Sequence, residues 1–551
     1  GNLKIYGKVE QLVHDAGDTT IYIIKGTEAS LPATIDSKFV VQSDVAVLKT
    51  AFANGEDFKL SADADITGQS VSVPAGKSVV LDLNGYTLTA DNSATGKIIV
   101  LGKMTLKDSS TEKKGKIVAS QDYTAASYNG SLIEIAGEDA SMTMESGNIS
   151  AVRETPDSNG QYGVGVTDGG DFTMTGGKIE AGWFAVAGNG NYKTQNSIIN
   201  ITDGELISTA DYAVYLPQSG TTTISGGKVY GAAGGVCIQR GTLNVEGTAL
   251  ITSKGTGSTG NWGDGTGGLD CAAINVSGAY GIATVNIKGG TLIAEAKSLI
   301  TEGTTYTPVI NVTGGTFSDP SVLKYMATNA TVDIKLLSNI NIAKTELATG
   351  YILNAANATA NLNLNGHDII NSSETADATP FTQIFTVQNG TLNISGNGNV
   401  KCDASATAKD DGYRMVIEAR GYGTVNIHGG SYYNTQKLNT QIDLIYAREN
   451  GKINIYGGTF ESGKYGTPNN DTDGRYWVLN LKNTDKNTAS IQVSGGTFIN
   501  FNPANPNMDD NESYLVTGYE VTRDGSVYTA AHKVGDGRKE YIVGQTSQEN
   551  R

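Results

Sequence analysis

One short unit recurs along this chain and limits what it can fold into: an alternating strand, a Gly-Gly or Asn-Gly turn, and a second short strand. It reads Phe172-Thr-Met-Thr-Gly-Gly-Lys-Ile179, Thr222-Thr-Ile-Ser-Gly-Gly-Lys-Val229 and Val285-Asn-Ile-Lys-Gly-Gly-Thr-Leu292 in the first half. Ile310–Phe317, Val425–Tyr432, Ile453–Phe460 and Ile491–Phe498 repeat it, and Met142–Ile149, Ile199–Leu206 and Leu243–Gly247 are looser copies. By subtraction, the turn glycines Gly177, Gly204, Gly227 and Gly247 lie 27, 23 and 20 residues apart, and Gly396, Gly430, Gly458 and Gly496 lie 34, 28 and 38 apart. A repeat of roughly 20–50 residues marks a solenoid, a propeller or an array. A propeller blade needs about 40–45 residues and several strands, whereas here a single strand-turn-strand motif returns faster than that. Constant strands with connections of variable length predict a parallel β-helix.

The alternation carries its own physical meaning. Successive side chains of a strand point to opposite faces, so Val425 and Ile427 are expected to point inward while Asn426 and His428 face out. The turn glycines allow a positive φ that a Cβ would hinder, and Phe317, Phe460 and Phe498 after the turn are expected to return to the core. The outward asparagines Asn200, Asn244, Asn286, Asn311, Asn393, Asn426 and Asn454 would then stack as an amide ladder.

The 551 residues are too many for one ordinary compact domain, but a solenoid grows along one axis and escapes that limit. The halves open alike, with Leu81-Asp-Leu-Asn-Gly-Tyr-Thr-Leu88 matching Leu362-Asn-Leu-Asn-Gly-His-Asp-Ile369. The expected organisation is a small N-terminal β element over 1–44, a first β-helix over 45–333, a second over 334–532 and a polar tail over 533–551. The element over 1–44 holds strands at Leu3–Glu10 and Thr19–Lys25. A helix over Val45–Phe58 caps the first β-helix, the segment Ser318–Tyr325 closes it, and a hairpin turning at Asp524-Gly525 closes the second.

A net charge of −16 argues against nucleic acid, whose phosphates call for a basic surface. It also disfavours a long anionic glycan unless a local patch overrides the average. Cys237, Cys271 and Cys402 sit in apolar strand-like surroundings and read as buried small hydrophobes. No stretch approaches the roughly 18–20 apolar residues of a membrane span, and no signal peptide is visible.

The Gly-Gly-Thr-Phe turns and Leu-Asn-Leu-Asn-Gly openings, over roughly residues 45–530, resemble the pectin-lyase-like right-handed parallel β-helix superfamily. More narrowly they resemble glycine-turn surface and phage fibre-type proteins of gut bacteria and their viruses. The resemblance implies a right-handed all-β solenoid. It leaves activity open, since members include polysaccharide lyases, hydrolases, tailspikes and non-catalytic adhesins. For fibres and spikes it implies a homotrimer.

The enzymatic members of that superfamily use clustered aspartates or calcium with an arginine base, and neither pattern appears here in series. The nearest approach is Asp410 and Asp411 with Arg414 and Arg420, a carboxylate pair with an anion clamp; a solvated loop is the simpler reading. The run Asn469-Asn-Asp471-Thr-Asp473-Gly474 resembles the front of a calcium loop, but Asn480 stands where a closing glutamate belongs. No other cofactor is implied. Trp183, Trp262 with Asp264, and Trp477 with Tyr476 are candidates to stack on sugar rings, against the plainer role of covering glycine-rich backbone. The function expected from these residues is a non-catalytic structural or binding β-helix displayed extracellularly, on a virion or cell surface, with a glycan or host-surface receptor as partner. A polysaccharide depolymerase on the same fold is the alternative.

Overall fold

The computed structural model of the chain describes residues 3–6, 21–25, 39–91, 97–121, 130–152, 161–188, 196–259, 266–302, 305–342, 350–371, 384–402, 414–434, 442–462, 476–506 and 513–533. The protein is a parallel β-helix solenoid divided into two compact units, Gly1–Ile334 and Lys335–Arg551.

In the first unit each repeat of the sequence is one coil, in register with the next. The residue that opens the repeat pairs upward as Met142, Phe172, Ile199, Thr222, Leu243, Val285 and Ile310. The residue after the turn does the same through Ile149, Ile179, Leu206, Val229, Ile251, Leu292 and Phe317. All of these residues are buried except Ile310, on the last coil of the column, which is half-buried. Stacking like on like in this way gives each coil an apolar column to bury against, about 1.5–3 kcal/mol for each large aliphatic side chain. A separate parallel sheet of nine strands, from Val71–Val73 to Lys297–Thr301, forms another side of the coil.

The paired turn glycines have two different causes. The second takes a positive φ: 87° at Gly177, 72° at Gly227 and 102° at Gly496. The first does not, but on most coils a Cβ there would strike the backbone of the coil beneath, 2.1 Å from the Thr202 carbonyl oxygen at Gly226 and 2.2 Å from that of Tyr456 at Gly495, while Gly289 has 3.3 Å of clearance. Close stacking therefore demands glycine at one position, and turn geometry demands it at the next.

The second unit repeats the logic. Leu392, Val425, Ile453 and Ile491 stack in register, and after the turn Val400, Tyr432, Phe460 and Phe498 do so. The rings of Tyr432 and Phe460 stack at 5.1 Å and those of Phe460 and Phe498 at 5.0 Å. The two Asn-Gly openings are built alike. Asn84 and Asn365 take φ of 47° and 51°, and each side-chain amide donates to a carbonyl of the preceding coil, Leu60 at 3.0 Å and Leu336 at 2.8 Å.

The caps differ in detail from expectation. The helix is Asp44–Asn54, ending before Gly55, whose φ of 77° ends the last turn. The N-terminal strands are Leu3–Tyr6, Ile21–Lys25 and a third, Phe39–Ser43, all parallel. The first β-helix closes on a 3-10 helix, Pro320–Tyr325, whose N-cap Asp319 accepts a hydrogen bond from the Ser321 amide at 2.8 Å. The final hairpin pairs Tyr519–Asp524 with Val527–His532, so its loop is Gly525-Ser526, one residue beyond the expected pair.

Candidate functional site

Three surfaces decide what this chain offers a partner. The first is the outer face of the coils, where the asparagines form ladders, with the exception of Asn200, whose in-register neighbours are Thr173 and Thr223. In the first unit Asn311 donates to Asn286 and Asn286 to Asn244, both at 3.0 Å. In the second, Asn454 donates to Asn426 (2.9 Å), Asn426 to Asn393 and Asn393 to Asn361 (both 2.8 Å). Each internal amide gives one hydrogen bond and receives one, so the ladder ties coil to coil. His428 is exposed beside it and stacks on Tyr456 at 4.7 Å between centroids.

The second surface lies on the strands Arg414–Ile427, Ile442–Ala447 and Tyr476–Leu481 of the second unit. Glu418, 1% exposed, accepts from Arg448 Nε at 2.6 Å and from Thr386 Oγ1 at 3.5 Å. Arg420 Nε stands 4.0 Å from the same carboxylate, which Arg448 already engages at 2.6 Å. Asp443, 2% exposed, accepts from Asn480 Nδ2 at 2.9 Å. Burial raises its carboxyl to about 7; the Asn480 hydrogen bond opposes this and the Glu418 charge adds to it. Burial likewise raises the neighbouring Tyr446 phenol to about 12. The two carboxyl groups therefore sit in contrasting environments, one matched to arginines and one paired only with a neutral amide. Both are sealed from solvent, which suits a structural network better than a site that must meet a polymer.

The residues singled out in the sequence distribute unevenly around these features. Trp183 is a correction: it is 4% exposed, in a hydrophobic cluster with Phe184, Ala187, Tyr212, Tyr215 and Cys237, and it is not presented to a sugar. Its ring lies 6.3 Å from that of Tyr162 and 6.4 Å from that of Phe184, so aromatic packing claims it. Trp477 is half-buried and pairs in register with Asp443. Arg414 and Tyr476 lie in the backbone of their strands. Trp262, Asp264, Asp410, Asp411, Asn469, Asp471 and Asp473 lie outside the described residues. Among the described residues no group of three or more His, Cys, Asp or Glu side chains is placed to hold a metal ion, and no helix is long and apolar enough to cross a membrane. Cys237, Cys271 and Cys402 are buried and not joined in disulfides.

The third surface is a groove of about 720 Å³ in the first unit that sequence reasoning missed. It crosses the coils where the nine-stranded sheet turns into the repeat strands. Its floor follows one register row, Ile198, Thr221 and Thr242 on consecutive coils. Unequal connections create it. Between Ile238 and Gly241 the chain has two residues to turn in, while between Val276 and Ala283 it has six, by subtraction of strand ends. The longer connection carries Tyr280, Gly281 and Ile282 as a wall, fixed by the Tyr280 amide on the Gln239 carbonyl at 3.3 Å. Tyr306 of the next coil extends the wall, its amide on the Gly278 carbonyl at 2.9 Å. Ile198, Ile282 and Tyr306 are 47%, 59% and 48% exposed, and Asn196, Ser219 and Arg240 complete the lining. The sequence did hold a trace of this groove: Ile198 precedes the core residue Ile199, so an apolar side chain stands in the outward phase of the alternation.

Comparison with family models, with curated proteins and with solved structures finds no match to this chain.

Proposed function

We propose that this chain is a non-catalytic β-helical shaft, displayed outside the cell on a virion or a bacterial surface, that contacts glycans through its flank. The observation that carries the reading is the groove across Ile198, Thr221 and Thr242. It joins exposed aromatic and aliphatic faces to hydroxyl and amide groups in a shallow, open trough, the mixture that sugar rings require. The stacked amide ladders and in-register apolar columns support the shaft role, because they tie successive coils together and are explained by coil stacking alone. Resemblance to the pectin-lyase-like fold is consistent with this role and selects no chemistry.

The test uses the full chain on a broad panel of capsular, mucin-type and plant glycans. Binding is read by an array and by calorimetry, and polymer size by gel filtration. The expected result is retention of some glycans at unchanged polymer length, with at least tenfold weaker binding after Tyr306→Ala, as loss of a stacking platform implies. A falling polymer size would move the reading to a depolymerase. Retention that survives Tyr306→Ala, or no retention across the panel, would remove the groove from consideration.

A further inference from the structure

Among the described residues that line the groove one side chain is charged, and it is a cation. Arg240 is half-buried in the lining, and no aspartate or glutamate accompanies it there. Among the described residues no carboxylate lies within ion-pairing distance of it, although the chain as a whole carries a net charge of −16. Its stem lies against its neighbour on the next coil. A Cβ on Gly281 would fall 2.8 Å from Arg240 Cδ, 2.9 Å from Cγ and 3.0 Å from Nε, so the aliphatic stem lies flat on the Gly281 backbone. The side chain therefore runs along the wall that carries Tyr280 and Ile282, with Tyr306 on the following coil.

An unpaired guanidinium held beside aromatic and hydroxyl groups is a preorganised receptor for one planar anion. Resting on the glycan reading of this groove, we propose that the ligand is an oligosaccharide carrying a single carboxylate, which Arg240 receives while Tyr306, Ile282 and the threonine floor take the uncharged rings. The single cation sets the charge count. A polyanion would place its further carboxylates along a flank with no second arginine or lysine among the described lining residues, on a strongly acidic protein that repels them. A monoacidic glycan meets one matched charge and otherwise neutral wall.

Calorimetry on the full chain tests this with three probe sets. The first contains oligosaccharides with one acidic group (sialylated, singly glucuronylated and pyruvylated), the second their neutral parents, and the third an oligogalacturonate. At least one monoacidic probe is expected to bind about tenfold or more tighter than its neutral parent, the scale of a charge-assisted hydrogen bond. Arg240→Ala should abolish that preference, so that an acidic probe and its neutral parent bind the variant with equal affinity. Gly281→Ala, which displaces the stem, should weaken the same preference with Arg240 still present. Equal affinity for acidic and neutral members, or a preference that survives Arg240→Ala, would overturn the inference and leave the glycan reading standing. Tighter binding of the oligogalacturonate would overturn the single-charge count. Absence of binding by every probe would overturn both readings together.

Discussion

Asp443 offers the sharpest test of the energetics. Its carboxyl is buried on the strand Ile442–Ala447, with a neutral amide donor and the Glu418 charge nearby, and its ionisation rises from an ordinary 3.8 to about 7. Because the folded value is raised, the stability this group contributes is fully present below pH 3.8 and is lost as pH climbs through 7. At 1.36 kcal/mol for each tenfold, the second unit should lose at most about 4 kcal/mol over that interval from this carboxyl alone. Asp443→Asn keeps the shape, keeps an oxygen to accept from Asn480 Nδ2, and removes the charge. The variant should match the parent near pH 4 and exceed it by up to about 4 kcal/mol at pH 8. Urea titration of both proteins at each pH, read by hydrogen exchange of peptides covering Ile442–Ala447 and Tyr476–Leu481, measures that difference locally. A local readout matters because a solenoid opens piecewise. A stability difference between the two proteins that stays constant from pH 4 to pH 8 would refute the assignment.

Two further outcomes follow from the coil geometry. Asn426 both donates to Asn393 and accepts from Asn454, so Asn426→Ala should cost about 1–3 kcal/mol by urea midpoint, roughly twice the cost of Asn454→Ala, which removes the bond to Asn426. Equal costs would mean that the ladder adds nothing beyond strand pairing. Gly226→Ala places a Cβ 2.1 Å from the Thr202 carbonyl oxygen, whereas Gly289→Ala meets nothing nearer than 3.3 Å. The first should lower the thermal midpoint by several degrees, in line with about 2–3 kcal/mol of overpacking, and the second by far less. Similar midpoints for the two would show that the coils can separate without strain.

The sequence by itself determined the coil. The strand alternation, the double glycine and the aromatic after it are consequences of stacking at β spacing, and that spacing acts identically on every coil, so it prints a repeat. Val425 and Ile427 inside, His428 outside and Phe317, Phe460 and Phe498 in the core were all legible from one unit of pattern. The ladder was legible too, since Asn286, Asn311, Asn426 and Asn454 hold the same phase of the repeat. Only the tertiary structure decided the rest. Trp183 follows a glycine and looked displayable, but its burial is set by Phe184 beside it in the chain and by Tyr215, which lies on a neighbouring coil far along the sequence. Glu418 and Arg448 meet because adjacent coils bring positions 30 residues apart within 2.6 Å. The groove needs Ile198, Arg240, Ile282 and Tyr306 together, and its depth depends on how long each connection is relative to its neighbours. A repeat fixes what is common to all coils; a site arises where successive coils differ, and that difference becomes visible only once they are stacked.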